Sequence, residues 1–578
     1  NSYYPLFYNF FTRLGMKVVL AKNVKQWGID KKCSSFCYPF EISHGLYADL
    51  LDQNPDYLFI PHILEIEGEG EASYKNCVFV QGEPYILQET FGTKSRTLAP
   101  LLWFRNGIEA ERRKFIDLAG QMGFSRRRAV EAFAYACRRQ NEYLSEGRRI
   151  GEKFLSELGQ DEIGIVLFGR SYNAYADEAN MGIPHKFASR GVKIIPYDFL
   201  PLEETFIEPS MYWGQGRKIL AGARFVKAHP NLFGTYITNF SCGPDSFLIG
   251  YFRDIMGHKP SLTLELDSHT ADTGLNTRVE AMLDIVRRYR ELEKREQIGR
   301  PRSTGFVPAS LRIDGKEASV LSSSGRRYAL TDPNVKVLLP SMGELNVAIL
   351  AALLRRIGIQ AQPLPVPDFE SLKTGRKCSS CKECLPLQLT IGTFLNRLPP
   401  ERPPEEVTVF FMPGSNGPCR FGQYHVYMSK LLEKLEIENV AVFTLNAANG
   451  YSEFTALSRN TDIFWQALIF ADLMEETRSV LRVLALDPVA ALQIHEQQWN
   501  RFIRWIESGP KSEAVSLVRS IAGELKKIPL KHPVSEAKYV SLVGEIYVRA
   551  DHFCQRDIIA YLESRGFIVR VAPISEFI

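Results

Sequence analysis

No apolar stretch in this sequence approaches the ~20 residues that a membrane-crossing helix needs; the longest runs, such as Val347 to Leu354, stop well short of it. No basic-then-apolar leader opens the chain. Neither sign of charge dominates: 70 Lys and Arg stand against 66 Asp and Glu, and the net charge of +4 is spread along the chain, so nothing in it calls for nucleic acid or an anionic membrane. Also missing are a Gly-x-x-x-x-Gly-Lys-(Ser/Thr) loop and any Gly-x-Gly-x-x-Gly after a strand, which places nucleotide chemistry outside this chain. A cytoplasmic location is the expectation. Cysteine is scarce, ten in 578 residues, but it is tightly grouped, and grouping without a secretory context points to metal rather than disulfides.

With 45% hydrophobic and 24% charged residues the composition is that of a globular protein, and the length implies about three to five domains. Laid against itself, the chain shows an internal duplication. Phe11-Thr-Arg-Leu-Gly15-Met-Lys-Val-Val-Leu20 leads to Cys37-Tyr-Pro-Phe-Glu-Ile-Ser-His-Gly45; Leu354-Arg-Arg-Ile-Gly358-Ile-Gln-Ala-Gln-Pro leads to Cys384-Leu-Pro-Leu-Gln-Leu-Thr-Ile-Gly392. Both read as helix, Gly stop, short buried strand, then Cys-x-Pro-x-x-(Ile/Leu)-(Ser/Thr)-x-Gly. A second echo joins Ile163–Gly169 and Ser189–Ile195 to Tyr539–Gly544 and Ser564–Arg570.

Short Val- and Ile-rich runs alternating with amphipathic stretches that end in Gly indicate buried parallel strands with helical crossovers. The expected fold is α/β: two tandem halves, each with Rossmann-like parallel-sheet domains and intervening long helices, Glu109 to Leu158 and Asp462 to Lys527. The expected boundaries are a first cluster domain with its helical segment at 1–158, a second Rossmann-like domain at 159–293, a linker with one short hairpin at 294–334, a second cluster domain with a helical insertion at 335–535, and the start of a fourth domain at 536–578. The chain reads as a piece of something longer, because it opens on an aromatic helix without a preceding strand and stops after one strand-helix-strand unit of its last domain.

Two sets of cysteines carry the chemistry. Cys33, Cys37, Cys77 and Cys242 belong to the first half; Cys378, Cys381, Cys384 and Cys419 to the second, the first three spaced as Cys-x-x-Cys-x-x-Cys. Thiolates from several loops are the preferred holders of iron-sulfur clusters, and these cysteines lie in Gly- and Pro-containing loops after strands, spread over separate domains. Zinc is the plainer metal reading, but no companion histidine or second Cys-x-x-Cys completes a zinc ribbon. Cys137, inside a helical run, and Cys554 are expected to be structural. His44, Glu265, Asp267, His269 and Asp272 read as solvated or hydrogen-bonded structural groups, and Asp245 as the cap of a helix starting at Ser246.

The motifs Cys-x-Pro with an apolar, Gly-ended helix, Gly-Pro-Cys419-Arg-Phe-Gly-Gln-Tyr, Asn-Phe-Ser-Cys242-Gly-Pro-Asp-Ser-Phe and Leu264-Glu-Leu-Asp-Ser-His-Thr-Ala-Asp-Thr-Gly274 resemble the 2-hydroxyacyl-CoA dehydratase and benzoyl-CoA reductase component family, which includes the double-cubane cluster proteins. The nearest branch is the one associated with BadF/BcrA-type activator ATPases. Cys37, Cys77 and Cys242 follow one another at 40 and 165 residues, as the three family cysteines would, whereas the second half has no counterpart of the third. The resemblance implies a 4Fe-4S or double-cubane 8Fe-9S cluster, an activator ATPase with its own 4Fe-4S cluster as partner, separate or fused, and a small unsaturated or acyl-CoA substrate. It implies an ATP-dependent iron-sulfur reductase, with a homodimer as the expected assembly. Two alternatives stand beside it, a true 2-hydroxyacyl-CoA dehydratase and a non-catalytic metal or cluster scaffold.

Overall fold

A computed structural model describes residues 2–34, 36–68, 74–202, 210–295, 305–314, 317–399, 401–415, 417–445 and 460–577. The chain is mixed α/β and divides into two compact units, residues 1–302 with 417–420, and residues 303–416 with 421–578. Among the described residues no helix is long and apolar enough to cross a membrane.

The first unit begins with the helix Tyr4–Leu14, whose Phe10, Phe11 and Leu14 bury against Phe115, Ala132 and Phe133. Gly15, in the left-handed region at φ 93°, ends it. The residues that follow are not a strand: Met16 to Leu20 pair with nothing regular, and Val19 and Leu20 are exposed. Apolar character alone misled here, since a three-residue Val-Val-Leu run is too short to fix a ladder. The parallel pairing of this region lies further on, in β1 (Leu58–Phe59) with β3 (Thr97–Leu98) and β2 (His62–Glu65) with β4 (Leu101–Trp103). The helices Arg112–Gln121 and Arg126–Ser156 follow, and Cys137 is buried among their core residues as expected.

A four-stranded, wholly parallel sheet comes next: β5 (Gly164–Phe168), β6 (Lys193–Pro196), β7 (Leu232–Asn239) and β8 (Ser261–Leu266), in the order β6-β5-β7-β8. Every residue of β5 and β7 is buried, as a sheet covered on both faces requires. Ile165, Leu167, Phe233 and Ile237 pack on one side with Val279 and Leu283 of the helix Asp272–Lys294. On the other side Phe168 and Tyr236 meet Phe252 of the helix Asp245–Met256.

In the second unit the segment expected as a linker is structured. β9 (Ser310–Asp314), β10 (Glu317–Leu321) and β11 (Arg327–Ala329) form an antiparallel sheet. Its Ala318, Val320 and Tyr328 share one core with β12 (Val335–Leu339) and β14 (Val407–Phe411). The polar Ser-Ser-Ser-Gly run that read as linker supplies instead the turn between β10 and β11, where Ser322 Oγ accepts from Arg326 N–H at 3.0 Å. β13 (Gln360–Pro363) and β15 (Val440–Phe443) complete a parallel sheet ordered β13-β12-β14-β15, the same order as in the first unit. The helices Thr461–Leu484, Pro488–Ser508 and Ala514–Leu525 form the expected helical segment, and β16 (Lys538–Leu542) pairs in parallel with β17 (Phe567–Val571).

The second echo reappears in the glycine turn: Gly169 after β5 and Gly544 after β16 have φ 142° and 149°. Further on, Met181 and Arg556 both have positive φ, 52° and 51°, but ψ of 35° and −136° sets them apart, Met181 alone being left-handed helical.

Candidate cofactor site

In an open parallel sheet, ligands bind beyond the carboxyl ends of the strands where the strand order reverses. In the first unit that place lies between β5 and β7, hydrogen-bonded neighbours with Phe168 opposite Tyr236. The loop after β5 carries Gly169 and Arg170, with Tyr172 in the short helix Ser171–Tyr175 that follows; the loop after β7 carries Ser241, in the left-handed region at φ 61°, and Cys242. The Cys242 carbonyl accepts from Ser246 N–H at 3.2 Å, inside the first turn of the helix Asp245–Met256.

Cys37 and Cys77 come from the same kind of place. Each is the N-cap residue of a helix, Tyr38–Asp52 and Val78–Phe91, where unpaired N–H groups and the helix dipole favour negative charge. The two helix starts are joined by rings: Phe40 lies 5.2 Å from Phe79, and Phe36 4.7 Å from Phe79, centroid to centroid.

Electrostatics ties the three thiols together. Burial pushes Cys37 up to about 12; the Phe40 N–H at its sulfur and the Arg170 guanidinium act the other way, while the neighbouring Cys77 and Glu83 add to the rise. Cys242 is held well above the usual thiol range by burial, then by Asp245 and Cys77, against Arg170 and a backbone N–H from Asp245. Cys37, Cys77 and Cys242 therefore share one environment around Arg170.

Arg170 and Asp245 form its base. Arg170 is 4% exposed and Asp245 1%, with Nε 3.4 Å from Oδ1. Asp245 also accepts from Thr238 Oγ1 at 2.7 Å and Tyr236 Oη at 3.1 Å. The expected cap at Asp245 is therefore not what is found: the helix starts at Asp245 itself and has no side-chain cap, because the carboxylate turns inward to the buried guanidinium. Arg170 and Tyr172 escaped the sequence reading, although a charged residue directly after the Gly that ends a buried central strand is a signal for this position.

The second cysteine set is divided. Cys384 is the N-cap of the helix Leu385–Arg397, the structural twin of Cys37. Cys378 ends the helix Phe369–Lys377, its carbonyl accepting from Tyr427 Oη at 2.9 Å. Cys381 is exposed and in the left-handed region at φ 62°. Cys419 falls within the first unit, where the Tyr212 hydroxyl donates to its carbonyl and the Trp213 indole donates to Pro418 O at 3.3 Å. Cys33 is exposed. Asp551 N-caps the turn holding Cys554 by accepting its N–H at 3.1 Å, a structural role.

Residues 1–200 match a family model, the CoA enzyme activase uncharacterised domain. The match covers Cys37, Cys77 and Arg170, and it fits the activase-associated 2-hydroxyacyl-CoA dehydratase family that the cysteine motifs resemble. No curated protein matches the chain.

Among the described residues no three His, Cys, Asp or Glu side chains draw together as ligands of one metal ion must. A polynuclear cluster is held differently, by thiolates spread around its own volume. Two cysteines at helix starts, a third just before another helix, and a buried cation suit that kind of cofactor.

The raised thiols also set a pH dependence. An ordinary thiol ionises at 9.0 and Cys37 in the fold at about 12, so the unfolded chain releases this proton first. The stability that the neutral Cys37 contributes is complete below about pH 9 and lost as pH rises through about 12. Urea melts of the cofactor-free protein should therefore fall more steeply above pH 9 for the wild type than for Cys37→Ala.

Proposed function

We propose that this chain is an iron-sulfur reductase component that holds its cluster on Cys37, Cys77 and Cys242 and reduces a small unsaturated or acyl-CoA substrate with electrons from an ATP-hydrolysing activator. The observation that carries this reading is the convergence of three thiols from distant parts of the sequence on one buried cation. The match of residues 1–200 to the CoA enzyme activase uncharacterised domain supports the enzymatic setting; an activator, separate or fused, would hydrolyse the ATP.

When bound, the cluster would supply one-electron chemistry at low potential. The chain's own residues would do the rest. Phe40, buried against Phe79, would shield the helix start at Cys37, and Tyr172, kept neutral by burial, would hold a proton at its hydroxyl close to Cys37 and Cys242. Loading must remove the thiol protons, so cluster uptake should weaken as pH falls.

The test is anaerobic purification with iron, sulfide and zinc quantified, and low-temperature EPR of the reduced protein. The expected result is about four or eight irons per chain with matching sulfide; stoichiometric zinc without sulfide would overturn the reading. Acetylene reduction against dehydration of an acyl-CoA, each with activator and ATP, then distinguishes a reductase from a dehydratase.

A further inference from the structure

A cationic side chain is rarely buried without a charged partner, and the cost is met here by an ion pair that leaves part of the guanidinium unused. Arg170 Nε lies 3.4 Å from Asp245 Oδ1, yet neither Nε nor Nη2 makes a hydrogen bond. Asp245, by contrast, is anchored by Thr238 and Tyr236. The pair is thus fixed from the carboxylate side, with guanidinium N–H donors free.

The backbone puts those donors beside the thiols. Arg170 follows the carboxyl end of β5 by two residues and Cys242 follows that of β7 by three, on hydrogen-bonded neighbouring strands. The duplicated unit sharpens the point. Behind the matching Gly544 the chain has Glu545, which turns back to accept Val548 N–H at 2.8 Å as an ordinary helix cap. The arginine occurs in the copy that has Cys242 after the neighbouring strand, and a solvent-type cap occurs in the copy whose strand pairs only with β17 among the described residues.

We propose that Arg170 and Asp245 are a pair of positioning residues that set the reduction potential of the cluster from opposite directions, the guanidinium raising it and the carboxylate lowering it. The inference rests on the cluster assignment above. Each electron added makes the cluster more negative, and a cation fixed in a medium of low dielectric stabilises that added charge while a fixed anion opposes it. Free guanidinium N–H donors also suit sulfur acceptors, whose hydrogen bonds raise cluster potentials.

The experiment is a redox titration, followed by EPR, of reconstituted wild type, Arg170→Met, Arg170→Lys and Asp245→Asn, with iron and sulfide measured in every sample. Arg170→Met should retain iron and shift the midpoint to more negative potential; Arg170→Lys should recover most of that shift; Asp245→Asn should move the midpoint the opposite way. Should Arg170→Met fail to fold for want of a partner for Asp245, the opposite shift in Asp245→Asn still decides the matter. Full iron with unmoved midpoints in both would overturn the pair's role, whereas wild type without iron or sulfide would overturn the cluster assignment instead.

Discussion

Replacing any one of Cys37, Cys77 and Cys242 by serine is expected to bring the iron retained by the first unit to near background, while Cys137→Ala leaves it unchanged. The asymmetry follows from where the sulfurs are. The first three lie at or just before helix starts around Arg170, Cys37 and Cys242 raised by burial first and by Cys77 among their neighbours, so each loss removes a thiolate that the others cannot replace. A hydroxyl ionises far less readily than a thiol and is a poor ligand for iron in a cluster. Cys137 sits instead in the helix Arg126–Ser156 among Phe115, Ala132 and Phe133, and behaves as a small apolar side chain. Iron and sulfide assays on anaerobically reconstituted variants, with circular dichroism to confirm folding, read the difference. Retention of full iron in Cys242→Ser would mean that the site had been built from the wrong sulfurs.

Much of this arrangement was legible in the chain itself. The Cys-x-Pro motif announced a helix start, since proline is tolerated in the first turn; Pro39 and Pro386 stand there, with Cys37 and Cys384 as extended N-caps at ψ 154° and 144°. Alternating strand and helix patterns gave the two parallel sheets. What could not be read was long-range: that Phe79 would meet Phe40, that Asp245 would turn inward to Arg170, and that Arg170 would be coupled electrostatically to cysteines far from it in the sequence. These depend on which loops the sheet order brings together, and spacing along the chain carries no trace of that order. Of the antiparallel sheet β9–β11 only one short hairpin was legible, because its short strands are separated by the same Ser and Gly residues that mark a linker.

The glycines that close the repeated motif yield the second large effect. Gly392 lies nine positions into the motif begun by Cys384, on the helix Leu385–Arg397, and a methyl group there would stand 1.7 Å from the Ser371 carbonyl oxygen of the helix Phe369–Lys377. Across the same seam a methyl on Gly375 would stand 1.8 Å from the Gln388 carbonyl oxygen. Both obstacles are backbone, which cannot swing aside as a side chain does, so the helices must separate. Gly392→Ala and Gly375→Ala should each lower the stability of the second unit by about 1–3 kcal/mol or more, despite the gain in helix propensity of about 1 kcal/mol that alanine brings. Urea unfolding followed by circular dichroism measures the loss, and because both substitutions open one seam the double variant should cost less than the sum. In the first half a methyl on Gly28 would stand 2.4 Å from the His44 carbonyl oxygen, a backbone obstacle again, whereas one on Gly45 would meet the Val24 side chain at 2.5 Å and the Lys25 backbone at 3.1 Å. The recurring glycine thus lets the helix that begins at the cysteine pack tightly against the segment before it.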